Sequence, residues 1–216
     1  FARLGEGYGL AEGAASMGAA MAVISGPDAR RGGSPYVGQL FLGLGGGPAG
    51  PNCDGWLTFC VPTAAGNIRL DSVELDETRY PIAVKSIRVL PGTIGAGRFC
   101  GAPATEVIYG PTDSCLTAII PSDGHYVAPR GAHGGTDGHP GATFKRKPDS
   151  SEEKLDNFVQ VEIAPGEALR GIEGGGAGYG DPRTRDPARV LRDVTRGWET
   201  LDRAAEIYAV VLTGSR

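Results

Sequence analysis

His125, His133 and His139 are the only histidines of the chain, and they fall in one stretch, SDGHYVAPRGAHGGTDGH, beside Asp123 and Asp137. Three imidazoles and two carboxylates are ligands that a divalent metal accepts. Their spacing, H-x7-H-x5-H, matches no familiar ligand set, and glycines interrupt it repeatedly. The stretch therefore reads as an exposed turn region, with metal binding as the lesser alternative.

The second chemistry-bearing pattern is the glycine run Gly174–Gly180 in IEGGGAGYGDP. A phosphate-cradling loop of the Walker type requires G-x-x-x-x-G followed by Lys and Ser/Thr. Here Asp181 follows instead, and its charge repels phosphate. The dinucleotide fingerprint G-x-G-x-x-G also fails, because no register within the run supplies all three glycines. What remains is a backbone passage too crowded for Cβ atoms, or one that requires positive φ.

Asp71, Glu74, Asp76 and Glu77 form an acidic run ahead of Arg79-Tyr80-Pro81. Such a run reads first as solvated charge, although a carboxylate within it is able to line a polar site. Neither a G-x-S-x-G nucleophile elbow nor an H-E-x-x-H metal motif occurs. The residues taken alone give no self-sufficient active site.

The elements that position these groups are announced by glycine. The chain holds 36 glycines in 216 residues, against about 7% in ordinary proteins. They lie between short apolar runs, the pattern of short strands joined by tight turns. A net charge of −4 offers no basic face to nucleic acid. No apolar run reaches the roughly 18 residues of a membrane-spanning helix. Cys53, Cys60, Cys100 and Cys115 are irregularly spaced without a C-x-x-C pair, so they read as buried free thiols of a cytoplasmic protein. The start at Phe1 suggests a cleaved precursor or a fragment.

Ala11–Ala22 reads as a weak, small-residue helix. Apolar runs at Met21–Ile24, Val37–Leu44 and Trp56–Val61 are separated by turn clusters at Ser25–Pro35 and Gly45–Gly55. The second and third of these runs lack bordering charges, which suggests burial against another chain. Val84–Leu90, Thr105–Tyr109 and Cys115–Ile120 read as strands. In Phe158–Ile163 the residues Val159, Val161 and Ile163 alternate with Gln160 and Glu162, the period of a half-buried strand. Ala164-Pro165-Gly166-Glu167 then carries a type II turn signature, with Ala168–Ile172 as the return strand of a hairpin. Asp149–Asp156 reads as an exposed loop.

Asp186-Pro187 supplies a cap and a first-turn proline for a helix bearing Val190, Leu191, Val194 and Trp198. Gly197 interrupts it. Leu201, Ala204, Ala205 and Tyr208 mark a second helix, and Ala209–Leu212 reads as a last strand. Trp198 is expected to be buried and Glu199 to lie on the polar side. The expected fold is α+β but mainly β: one domain over residues 1–216, a glycine-rich, short-stranded β body with two short C-terminal helices.

Three segments carry a family resemblance. ETRYPIAVKSIRVLPGTIGAGRFCGA (Glu77 to Ala102) resembles an E-x-x-YP strand entry followed by R-x-x-S-G-G-A-G-R-x-R-G-G. GGGAGYGDPRTRDPARVLRDV (Gly174 to Val194) resembles GGGGYGDPxxRDPxxVxxDV, and ETLDRAAEIYAVVL resembles S-x-E-x-A-x-x-x-YGVVL. Asp54-Gly55 sits where the pattern has DG. Cys100 stands in place of an arginine, Thr93-Ile94 in place of small residues, and Ala209 in place of a glycine. The pattern is that of the hydantoinase B/oxoprolinase group, which includes N-methylhydantoinase, 5-oxoprolinase, caprolactamase and acetophenone carboxylase subunits.

The resemblance covers only the C-terminal part of such subunits. It implies an ATP-dependent cyclic-amide hydrolase acting with a hydantoinase A-type ATPase, or alternatively a ketone carboxylase of the acetophenone type. A non-catalytic β scaffold within a larger assembly is the reading of another class. The resemblance places ATP and Mg on the ATPase partner and a divalent metal in the N-terminal half of the subunit, with neither metal nor cofactor bound by this chain. Position within the matched motifs puts Asp54, Asn67, Glu74 and Arg79 nearest the substrate cavity.

Overall fold

The computed structural model describes residues 9–14, 18–59, 69–122 and 124–212. It is mainly β, with two antiparallel sheets and three short helices. One sheet has the order β2-β1-β5-β8, from Ser34–Gln39, Val23–Asp28, Leu116–Pro121 and Phe158–Ile163. The other has the order β3-β4-β9-β6-β7, from Ile82–Val89, Thr105–Pro111, Ala168–Glu173, Ala142–Arg146 and Glu152–Lys154.

The alternation in Phe158–Ile163 appears as a strand with Val159 and Val161 half-buried, Ile163 buried, and Phe158, Gln160 and Glu162 exposed. Its return is not a hairpin. β8 pairs with β5 in the first sheet, whereas β9 pairs with β4 and β6 in the second. The turn itself forms, with the Glu167 amide donating to the Ala164 carbonyl at 3.0 Å and Gly166 at φ +92. It carries the chain from one sheet to the other, because the apolar side of each strand faces the same interior.

That interior is filled from both sheets: Ile24, Leu116, Ala118, Ile120 and Ile163 from the first, Ile82, Val107, Tyr109 and Leu169 from the second. Each fully buried aliphatic or aromatic side chain contributes about 1.5–3 kcal/mol. Leu40, Leu42 and Leu44 are fully buried too. The expectation that Val37–Leu44 packs on another chain is corrected: its leucines complete this chain's own core, and Val37 is the apolar residue of the run left exposed, at 73%.

Several elements differ from the sequence reading. Of Ala11–Ala22, the described residues show only a 3-10 turn at Ala19–Met21, and residues 15–17 lie outside them. Ser25–Asp28 and Ser34–Pro35 belong to strands β1 and β2, so the turn shrinks to the few residues between them. Ala142–Arg146 is an additional strand. Glu152–Lys154, within the expected loop, is an edge strand whose three charged residues are all exposed, which guards an open edge against pairing. The acidic run folds as helix α1, Val73–Arg79, capped by Ser72, with Pro81 just beyond its end.

The C-terminal helices form as α2, Pro187–Thr195, and α3, Leu201–Tyr208. Asp186 caps α2 by accepting from the Ala188 amide at 2.9 Å. Ala209–Leu212 is not a strand: Ala209 takes the left-handed conformation, φ +56, that closes α3. On the helices Val190, Ala204 and Tyr208 are buried, while Leu191 and Leu201 are exposed. Trp198 is only half-buried and Glu199 is 3% exposed, the reverse of the expectation.

Candidate functional site

The glycine run after β9 threads between other backbone segments. The amides from Gly175 to Gly180 donate in turn to the carbonyls of His139, Ala102, Glu12, Thr136, Phe99 and Ala132. Every amide of the run from Gly175 is therefore committed to protein, and none is left to cradle a phosphate. A Cβ at Gly176 would land on the Gly47 carbonyl, and one at Gly178 on that of Ala96. The run is a steric passage, as its chemistry suggested.

Beside it lies the densest charge cluster of the described residues. Arg185 holds Asp54 in a two-toothed ion pair, Nη1 to Oδ1 at 2.7 Å and Nη2 to Oδ2 at 3.1 Å. Its Nη2 also donates to Asp193 at 2.6 Å. From α2, Arg192 reaches the same Asp54 oxygen at 2.9 Å and Arg189 at 3.3 Å. The Cys100 amide donates to Asp54 Oδ1 at 2.9 Å. Partial burial would raise the Asp54 pKa, but Arg185, the Cys100 amide and Arg192 outweigh it and hold the carboxyl below its ordinary range. Asp54 is thus held in its ionised form by these cations and ties α2 to the glycine loops. A proton-transfer base would need a pKa near working pH instead.

The arginine partners were not singled out from sequence. A signal was present: Arg185, Arg189 and Arg192 recur at four- and three-residue intervals, which sets the helical members on one side of α2. Nothing in the sequence says that Asp54, more than 130 residues away, is what they face.

Of the other residues placed near a cavity, Asn67 lies outside the described residues. Glu74 and Arg79 are exposed on α1, and Glu74 accepts from Ser72 Oγ at 2.6 Å. No described hydrogen bond or ion pair joins either to Asp54. Their neighbour Asp76 is buried, and burial together with the charge of Asp71 pushes its pKa up to about 6. Glu173 is fully buried at the end of β9, accepting from the Gly18 and Ala20 amides at 3.1 Å each. Burial lifts its pKa to about 7 against those two donors.

The three histidines take separate partners. His125 is buried with Nε2 at 3.4 Å from Thr143 Oγ1. His133, at φ +51, packs its ring against Tyr179, and His139 Nδ1 meets the Pro140 carbonyl at 2.6 Å. Asp137 accepts from the Gly131 amide, and Asp123 lies outside the described residues. Among the described residues no three His, Cys, Asp or Glu side chains converge as a metal site.

Cys53 and Cys115 are exposed free thiols, which corrects their expected burial; Cys100 is buried, and Cys60 lies outside the described residues. Burial pushes the Cys100 thiol up to about 11, so it stays protonated beside Tyr208 Oη at 3.2 Å. An apolar cleft of about 390 Å3 opens between Leu10, Gly13, Pro48 and Phe59, with Glu12 the titratable residue of its lining. Its size suits a small ring-bearing molecule.

A family model described as hydantoinase B/oxoprolinase matches residues 6–182. The beta chain of the caprolactamase of Pseudomonas jessenii is 30% identical over 198 residues, which cover 89% of this chain and 34% of that one. The hydantoinase B-type component of a putative D-/L-hydantoinase from Pseudomonas sp. strain NS671 is 29% identical over 162 residues, 72% of this chain and 26% of that one. The crystal structure of the ATP-dependent caprolactamase from Pseudomonas jessenii aligns with a TM-score of 0.79 and 26% identity over 94% of this chain and 36% of that one. A nucleotide-free acetone carboxylase aligns at 0.73 with 18% identity over 90% of this chain and 30% of that one, a likeness of fold alone. The chain spans about a third of the length of these caprolactamase relatives.

Proposed function

The chain belongs to the hydantoinase B/oxoprolinase family, and from that premise we propose that it forms the C-terminal part of a subunit in an ATP-dependent cyclic-amide hydrolase. The observation that carries this reading is the likeness to the ATP-dependent caprolactamase along nearly the whole chain. An amide oxygen is a poor leaving group, and phosphorylation makes it a good one. Such a step needs a kinase-like partner, and a hydantoinase A-type ATPase is the partner proposed.

The committed amides of the glycine passage support placing ATP and Mg on that partner. The scattered histidines support placing the divalent metal in the N-terminal half of the subunit. This chain, proposed as a single domain, would contribute the apolar cleft as a wall for the substrate ring. Glu74 and Arg79, exposed on α1, and Asn67 are proposed to face the shared cavity. Asp54, tied up by three guanidiniums, is proposed as a positioning residue. The need for cellular ATP puts the assembly in the cytoplasm.

The test is ATP turnover by the chain assembled with its full subunit and ATPase partner. Turnover stimulated by hydantoin, 5-oxoproline or a lactam supports the hydrolase. Stimulation only by an aromatic ketone with bicarbonate selects the carboxylase alternative. An intact complex stimulated by neither, and indifferent to substitution of Glu74 and Arg79, selects a non-catalytic scaffold.

A further inference from the structure

We propose that a hollow on the outer face of the second sheet, ringed by Lys85, Arg146 and Lys147, binds a compact multivalent oxyanion of the phosphate class. The hollow measures about 190 Å3. Its position follows from the two-residue period of the strands. Leu169 points into the core, so its neighbour Ala168 points outward, opposite Arg146 on β6. Ala168 has a short side chain and leaves a depression between Arg146 and Ile108, while Lys85 enters at the irregularity of β3 between Val84 and Ser86.

None of the three cations is salt-bridged among the described residues. The carboxylates closest in the chain already have partners. Glu167 takes Lys145 at 2.8 Å and the Ala164 amide. Glu152 takes Arg170 at 3.1 Å. Asp149 accepts from the Ser151 amide and hydroxyl. Among the described residues, Lys85, Arg146 and Lys147 enter no ion pair; Asp149 and Glu167 feel the charge of Lys147 without bridging it, so three unbridged positive groups line one small space. Three like charges gathered in one space repel one another, and a bound anion relieves that repulsion.

Ser150 is an independent pointer. It lines the hollow and holds φ +69, a conformation that glycine adopts without strain and serine does not. The turn it closes, with its amide donating to the Lys147 carbonyl at 2.9 Å, would form at least as well with glycine. The hydroxyl is what the strained residue adds to the lining of the hollow. Two lysine point charges, one guanidinium fork and one hydroxyl suit the oxygens of phosphate or pyrophosphate. The lining has no aromatic platform and the hollow no room for a nucleoside. The three cations line one small hollow in a chain of net charge −4, unlike the basic face that nucleic acid requires. The inference does not rest on the enzymatic reading.

Calorimetric titration of phosphate and of pyrophosphate into the purified protein, at constant ionic strength, tests it. Saturable binding at one site is expected, with Lys85→Gln and Arg146→Gln each weakening it by about tenfold. Ser150→Gly is expected to weaken binding while preserving or raising the melting temperature, which separates lost affinity from lost folding. Lys154→Gln, on β7 of the same sheet but outside the hollow, is expected to leave binding unchanged. Absence of saturable binding by both anions would overturn the proposal. So would equal weakening by Lys154→Gln, full affinity in Ser150→Gly, or binding of ATP without binding of either simple anion.

Discussion

Arg185 and Asp54 close an ion pair across 131 residues of chain, with both terminal guanidinium nitrogens engaged and the arginine side chain only 1% exposed. The pair fastens the segment entering α2 to the loop around Asp54, between β2 and α1. Asp193 shares the same guanidinium. Removing one partner leaves the other's charge in a poorly solvated place.

Asp54→Ala is therefore expected to destabilise the protein by about 2–3 kcal/mol, short of the roughly 3–5 of a fully broken buried pair because Asp193 remains. Adding Asp193→Ala should cost more than the sum of the two single changes. Urea unfolding of the four proteins measures this. A loss below about 1 kcal/mol for Asp54→Ala would mean that the pair behaves as a surface ion pair.

A second expectation concerns the adjacent residues Trp198 and Glu199. Glu199 receives Arg203 Nε at 2.7 Å, the Thr200 amide at 2.9 Å and Tyr208 Oη at 3.4 Å, with its side chain 1% exposed. Trp198 is half-buried and carries Arg196 over its ring. Glu199→Ala should lower stability by about 3 kcal/mol, and Trp198→Ala by less, about 1–2 kcal/mol, since little cavity is left behind. A larger thermal shift for Trp198→Ala would contradict this ranking.

The reversal at these two residues shows where the sequence is legible and where it is not. Local signals read well: the Asp186-Pro187 helix start, the alternation of Phe158–Ile163 and the Ala164–Glu167 turn all form. The glycine passage was legible too, because the lack of a lysine and the presence of Asp181 argue against phosphate directly. Long-range pairing was not. A hairpin and a crossover between sheets use the same turn, so β8 and β9 alone could not reveal that they join different sheets. Glu199 looks like any helix-flanking carboxylate until Arg203 and Tyr208 close over it. Of the site residues placed by motif position, Asp54 lies in the arginine hub and Glu74 and Arg79 on exposed α1, since a motif gives order along the chain and not proximity.

Glu173 makes stability depend on pH. Its folded pKa, about 7, lies above the ordinary 4.5 because burial disfavours the carboxylate. Its contribution is fully present below about pH 4.5 and is lost as pH rises through about 7. Asp76, raised to about 6 by burial and Asp71, acts with the same sign over a lower window. Urea midpoints measured at pH 6 and pH 7 should therefore fall in the native protein. Glu173→Gln should flatten that interval, whatever the level of its midpoint, because the amide does not ionise. An unchanged slope in the variant would assign the dependence to another group.

The glycine passage yields the last expectation, because its positions make different demands. At Gly178 the conformation is ordinary, but a Cβ would meet the Ala96 carbonyl, backbone that is itself bonded to Thr136. Overpacking against a fixed backbone has no flexible side chain to yield, so Gly178→Ala should cost about 3 kcal/mol or more. At Gly180 the nearest atom is the Arg98 Cβ at 3.1 Å, and the demand is φ +76. Gly180→Ala should then cost about 1–2 kcal/mol, chiefly as backbone strain. Gly197 separates the two effects: it holds φ +71, and a Cβ there would meet nothing within 4 Å. Gly197→Ala should match the strain part of Gly180→Ala, about 1 kcal/mol, with no steric addition. If Gly178→Ala cost no more than Gly197→Ala, the passage would be looser than its carbonyl contacts require, and crowding would not explain why glycine occupies it.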